Sequence, residues 1–160
     1  MQIGVKFSIA IHILLCIEYY KDSKKLTGDF IAASVKSNPV TIRNIMALLR
    51  NKGIIGISLG TGGAEMKRPP SKITMLTIYS AIYPVKEGKL FKIHEKADPK
   101  CPVGSNINAV LSPVFINAQR EMEAELDRYT LADLLDNLNA IIQRKRAKKS
   151  LSKRRAPVSP

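Results

Sequence analysis

Ser37-Asn38-Pro39 limits the fold more than any other feature of this chain. It stops one helix and starts the next. Pro39 has no N–H to donate and a fixed φ, so it suits the first turn of a helix. Ser37 and Asn38 just before it are good N-cap residues. The chain must turn sharply here between two helices. Upstream, Thr27 caps a short helix over 28–35, with Asp29 in the first turn, where the helix dipole favours an anion. Downstream, a helix starts at Pro39, runs to about Lys52 and has Ile42, Ile45, Met46 and Leu49 as its core face. Gly53 ends it as a C′ glycine.

Periodicity supplies the surroundings. Residues 5–20 read as a helix with Val5, Ile9, Ile13, Cys16 and Tyr20 on one stripe. Residues 54–59 and 64–68 are strands joined by Gly60-Thr61-Gly62-Gly63 and closed by Pro69-Pro70. Residues 71–82 are helical by the spacing of Ile73, Leu76, Ile78 and Ile82. A long connection follows over 83–104, with a candidate strand at 90–93; loops of this length are usually functional or mobile. From about Ser105 a long helix carries Ile107, Val110, Leu111, Val114, Phe115, Ala118, Met122, Leu126 and Tyr129 on one side. Pro113 is expected to kink or split it, with Ser112 as a cap. Thr130-x-x-Asp133 opens a last helix whose apolar face is Leu131, Leu134, Leu135, Leu138 and Ile142. The expected fold class is mainly α with a small β-wing. A winged helix-turn-helix domain covers 1–83, a connecting or sensor loop 84–104, long helices 105–143 and a basic tail 144–160.

Charge separates these regions. The 160 residues hold 26 Lys and Arg against 13 Asp and Glu, a net charge of +13. Residues 1–70 carry ten basic and four acidic groups, 71–143 eight and nine, and 144–160 eight and none. Such an excess points to a polyanionic partner, and alone it does not separate DNA, RNA and anionic lipid. The tail is rich in Lys, Arg, Ser and Pro with little to pack, so disorder is expected there. Two cysteines, Cys16 and Cys101, are too few for a disulfide-stapled scaffold. They are also too few for a four-cysteine zinc or all-cysteine iron–sulfur site within one chain. A reducing cytoplasm is the expected compartment. The longest apolar stretch, 9–17, falls short of the about 20 residues a membrane helix needs. Glu18 follows it with no small-residue cleavage site, so it reads as a core helix and no membrane partner is expected.

Helix, short helix, tight turn, helix and glycine-tipped hairpin is the order of a winged helix-turn-helix. In that geometry the second helix of the pair enters the major groove of double-stranded DNA, and the wing follows the backbone or a minor groove. The solvent face of the helix after Pro39 is Val40, Thr41, Arg43, Asn44, Ala47 and Arg50. Arg43 can bond guanine bidentately and Asn44 can pair with adenine. Ser37, Asn38, Pro39 and the free N–H groups of the helix start suit a phosphate. Lys36, Lys67 and Arg68 add cations, and Thr61, Gly62 and Gly63 form the wing tip. Taken singly, each of these residues is equally well a solvated surface group.

The segments that carry a family likeness are Ile31-Ala32-Ala33-Ser34-Val35, Val40 to Leu49, and Asn51-Lys52-Gly53-Ile54-Ile55. They continue through the glycine-rich wing from Gly60 to Pro69 and Ile73-Thr74-Met75-Leu76. On these the chain resembles the Rrf-two family of bacterial winged helix-turn-helix regulators. Within it the likeness is closest to the YwnA-like branch, Pro99-Lys100-Cys101-Pro102-Val103-Gly104 included. The resemblance implies a homodimeric DNA-binding transcription regulator, most simply a repressor. The long helix would be the dimerisation helix, crossing its partner's copy through Val110, Leu111, Val114, Phe115, Ala118, Met122 and Leu126. Packing of that stripe on its own chain is the other reading. Cluster-binding members carry three close cysteines before this helix. Here Cys101 alone stands, at the position of the last, so no iron–sulfur cluster or other cofactor is expected. Leu59 stands where the family often has an arginine before the first wing glycine.

Other readings remain open at this stage. Cys101, next to Lys100 and near Lys96, is a redox candidate, so a thiol or small-molecule signal acting through the loop is one alternative. An ordinary loop cysteine is the other. A non-specific nucleic-acid module driven by the basic tail is a further alternative. His94, Glu95, Asp98 and Cys101 match no known metal spacing, and His12 and Cys16 read as core. No Ser/His/Asp set, phosphate loop or paired-carboxylate site is visible, so the chain is not expected to be an enzyme.

Overall fold

The computed structural model describes residues 4–23, 26–58, 63–84, 90–94 and 96–154. Its first helix, α1 (Lys6–Tyr20), is central: it packs against α2 (Gly28–Val35), α3 (Pro39–Asn51), α4 (Met75–Ile82), α6 (Leu131–Arg154) and the second strand of the wing. A helix covered from several sides does not bury a single stripe. Ala10, Ile13, Leu14, Cys16 and Ile17 are buried, while Val5, expected on the core stripe, is 73% exposed.

The helix-turn-helix follows the local signals. Thr27 Oγ1 accepts the Phe30 N–H at 3.2 Å and starts α2. Lys36 ends it at φ 53°, in the left-handed region, and Ser37 N–H returns to the Ala32 carbonyl at 3.2 Å. Asn38 caps α3 by accepting the Val40 N–H at 2.8 Å, with Pro39 in the first position. Ile42, Ile45, Met46 and Leu49 are all buried, as expected. Gly53, at φ +70°, ends the helix, and Ile54 N–H closes onto the Leu49 carbonyl at 3.0 Å.

Strands β1 (Ile55–Ser58) and β2 (Gly63–Met66) form the antiparallel wing, with Ile55 opposite Met66 and Ser58 opposite Gly63. β1 starts one residue after the expected 54, with Leu59 outside the described residues, and β2 runs over 63–66 rather than the expected 64–68. β2 is tied to the chain ahead of α2, since Ala64 N–H donates to the Leu26 carbonyl at 3.0 Å.

Residues 71–82 are not one helix. A 3-10 turn (Pro70–Lys72) precedes a break at Ile73 and Thr74, and Thr74 caps α4 by accepting the Thr77 N–H at 3.1 Å. The break serves a distant contact. Met75 N–H donates to the Tyr129 carbonyl and Leu131 N–H to the Ile73 carbonyl, each at 2.8 Å. These bonds pin the junction of α5 (Ile107–Arg128) and α6 to the winged domain, where Leu131 is fully buried.

Three further expectations change. Pro113 does not split α5. It and Ala109, whose carbonyl loses its helical donor, are both exposed, so water can replace that bond. Residues 90–93 are not a strand: Leu90 N–H donates to Gln119 Oε1 at 3.2 Å and the Phe91 ring lies 5.0 Å from that of Phe115. Nor is the segment from 144 disordered throughout, because α6 continues to Arg154. Lys, Arg, Ala and Leu are good helix formers, and cations in the last turns complement the dipole. Residues 155–160 lie outside the described residues. Among the described residues no helix is long and apolar enough to cross a membrane.

Candidate nucleic-acid interface

The buried face of α3 fixes what its other face presents. Val40 (56% exposed), Arg43, Asn44 and Arg50 stand in solvent, with Thr41 and Ala47 half-buried between them. The stem of Arg43 passes beside Gly28 at the start of α2, 4.0 Å from where a Cβ on that glycine would sit. A valine and small residues near the start of the helix leave room for base edges, and the valine can meet a thymine methyl. The turn presents Lys36, exposed, with Ser37 half-buried behind it. Lys36 is the one non-glycine residue at positive φ among those described, a conformation costing about 1 kcal/mol for an L-residue. Nothing in the sequence signals it. The Asn38 side-chain oxygen is committed to its cap, which leaves its amide for a phosphate.

The wing departs from the expected picture. Lys67 lies across Gly56 and pairs with Glu65 Oε1 at 2.6 Å. Arg68 turns back, donating from Nη2 to the Lys52 carbonyl at 3.3 Å at the end of α3. Both remain exposed, yet each already serves a local group: a neighbouring carboxylate in one case, an orphan helix carbonyl in the other. Lys36, Arg43 and Arg50 are exposed on this side as well. Gly63 belongs to β2, while Thr61, Gly62 and Leu59 lie outside the described residues.

The apolar stripe of α5 divides in two. Leu111, Phe115, Met122 and Leu126 are half-buried, and Leu126 packs on the core of its own chain. They flank Gln119, the one buried polar residue among those described, which donates to Glu123 Oε1 at 2.7 Å while accepting from Leu90. Gln119 was legible in sequence only as a polar residue inside an apolar stripe. About a quarter-turn away, Val110 (62% exposed), Val114 (59% exposed) and Ala118 form a second line at steps of four that its own chain leaves uncovered.

Cys101 is exposed in a tight turn. The N–H groups of Gly104 and Val103 point at its sulfur and hold the thiol below its ordinary pKa. Gly104 is required there, since a Cβ would stand 2.6 Å from the Asp98 carbonyl oxygen. Cys16 differs: burial pushes its thiol up, against a weaker opposing bond with Ser34 Oγ at 3.6 Å. Ser34 also meets His12 Nε2 at 3.2 Å, and His12 is exposed rather than core. Open grooves lie beside the wing and between α4 and α5. One, of about 720 Å³, runs past Glu18, Lys21 and Glu65; the other, about 440 Å³, lies between Arg68, Tyr79 and Glu123. Neither is lined by the Cys101 turn.

The comparisons with known proteins agree on one family. The one described as "Rrf2: Iron-dependent Transcriptional regulator" matches residues 3–137. YwnA of Bacillus subtilis (strain 168), provisionally named an HTH-type transcriptional regulator, is 38% identical over 137 residues, 86% of this chain and 99% of that one. A crystal structure provisionally named a DNA-binding protein is 33% identical, covers 81% of this chain and 98% of its own, and superposes with a TM-score of 0.64. A transcriptional regulator structure from Lactobacillus plantarum, also provisionally named, is 28% identical, covers 90% and 98%, and gives a TM-score of 0.71. Among the described residues no donor set for the iron of the family description is gathered in one place. Cys101 and Cys16 sit on separate elements, one exposed and one buried, and no group of three His, Cys, Asp or Glu among the described residues could hold a metal ion.

Proposed function

The chain belongs to the Rrf2 family of transcriptional regulators, and we propose that it works as a cluster-free homodimeric repressor. Each subunit lays α3 in one major groove of a pseudo-palindrome, with half-sites about one helical turn apart. The wing follows the adjoining backbone or minor groove. The observation that carries this reading is the division of α3. Its apolar face is wholly buried, and its opposite face offers Val40, Arg43, Asn44 and Arg50 beside the capped helix start. Arg43 and Asn44 read bases; Lys36, Arg50 and the helix start hold phosphates. The bare line of Val110, Val114 and Ala118 supports a second copy of α5 as the partner that covers it.

The test is titration of DNA from upstream of the protein's own gene against a mixed-sequence duplex across salt concentrations. The promoter is expected to bind more tightly at every salt. Arg43→Ala is expected to lower promoter affinity by roughly 10- to 100-fold, with little change for mixed sequence. Equal affinity for both duplexes at all salts would sink specific recognition.

The Cys101 turn favours a second reading, in which the regulator also responds to oxidants. An exposed thiol with a lowered pKa has more thiolate at neutral pH and reacts sooner than a buried one. Iodoacetamide is expected to label Cys101 before Cys16, as read by peptide mass spectrometry. Peroxide is expected to weaken promoter binding by the natural chain and to spare Cys101→Ser. An identical response in the two proteins removes the thiol reading.

A further inference from the structure

The last helix outruns the shared fold. The family match stops at residue 137, while α6 continues to Arg154. No Asp or Glu follows Asp136 in the sequence, and 144–154 contain Arg144, Lys145, Arg146, Lys148, Lys149, Lys153 and Arg154. The near end of the helix is held firmly. Leu131 is fully buried, Thr130 and Asp133 cap each other, and Leu131 N–H is bonded to the Ile73 carbonyl. From that anchor, at 1.5 Å per residue, the cations begin about 20 Å out and continue to about 35 Å. Arg144, Lys145, Arg146 and Lys148 are exposed.

Helical spacing spreads residues 144, 145, 146, 148 and 149 over an arc of about 200°. Arg144 with Lys148, and Lys145 with Lys148, are like charges at four and three residues apart, an arrangement that weakens a helix standing in water. A partner with closely repeated negative charge turns that repulsion into attraction. By the same spacing Ala147 is what residues 144–149 place in the remaining arc, which is not the apolar face that a helix lying in a membrane surface requires. The arm is also covalently continuous with a winged domain of a DNA-binding family. Once α3 is docked, nearby phosphates meet the arm at high effective concentration.

We propose that residues 144–154 form a helical phosphate-binding arm that lies on the DNA backbone beside the bound site and adds sequence-independent affinity. The proposal rests on the reading of the chain as a DNA-binding regulator. Its test uses the full chain with Arg144, Lys145, Arg146 and Lys148 all replaced by Gln. Anisotropy is measured with the promoter duplex and with a mixed-sequence duplex of equal length, over a range of salt. With four cations lost from each subunit of the proposed dimer, the slope of log affinity against log salt is expected to fall in magnitude by about 7, at about 0.9 per lost phosphate contact. Affinity at low salt is expected to drop at least about tenfold for both duplexes, with their ratio unchanged. Circular dichroism should match the natural chain, because these side chains are exposed. An unmoved salt slope overturns the arm and leaves the regulator intact. A natural chain that does not distinguish the duplexes overturns the regulator reading instead. Phosphatidylserine vesicles that bind the natural chain and not the variant, with the DNA slope unmoved, overturn DNA as the partner.

Discussion

Glutamate in place of Val114 is expected to turn the proposed dimer into a monomer. The valine is 59% exposed on its own chain, one step of four from Val110 and one from Ala118. Nothing in the single subunit is disturbed by a longer, charged side chain there. In the proposed two-fold interface the change would count twice, since each helix would present the same line to its copy. Two carboxylates would then be desolvated next to apolar groups and near each other. An uncompensated buried charge costs about 3–5 kcal/mol and two cost about 6–10 kcal/mol, so the dissociation constant should rise by at least about four orders of magnitude. Sedimentation equilibrium measures this directly. Promoter affinity should fall with it, because a monomer binds one half-site and loses the gain from linking two. The melting temperature of the dilute protein should be little changed. A variant that sediments as the natural protein does would place the interface elsewhere.

The division of α5 behind this prediction shows where sequence stops being informative. Every residue from Val110 to Leu126 in the stripe has the right spacing to share one face. Which part of that face the chain covers depends on Gln119, Leu90 and Phe91, and these meet across a long loop. Local chemistry was easier to read. The caps at Thr27, Asn38 and Thr130, the stop at Gly53 and the core face of α3 each depend on residues within a few positions. The break at Ile73 and Thr74 does not, because its reason is the α5–α6 junction more than fifty residues away. Lys67 and Arg68 teach the same lesson for the site. Sequence marks them as cations beside a wing, and only the fold shows Arg68 turned onto the end of α3. In the basic tail composition resembles disorder, while the helix that precedes it continues to Arg154.

Gly63→Val is expected to damage the fold most among single changes in the wing. Gly63 sits at φ +113°, a region that β-branched residues avoid. A Cβ there would also stand 3.1 Å from the backbone N and O of Leu26. Backbone cannot swing aside as a side chain does, so the clash must be relieved by moving β2. That movement breaks the bond from Ala64 N–H to the Leu26 carbonyl, the tie between the wing and the chain ahead of α2. Strained φ and overpacking each cost about 1–3 kcal/mol, which together lower the melting temperature of a chain this size by roughly 10 °C. Gly56 is the informative contrast. A Cβ there meets the far end of Lys67, which is exposed and free to move. Gly56→Ala should therefore leave the melting temperature within about 2 °C of the natural chain. Equal losses at the two positions would mean that the wing tolerates no added side chain at all. A loss confined to Gly63 locates the constraint in its φ and in the backbone of Leu26, the two features that tie the wing to the helix-turn-helix.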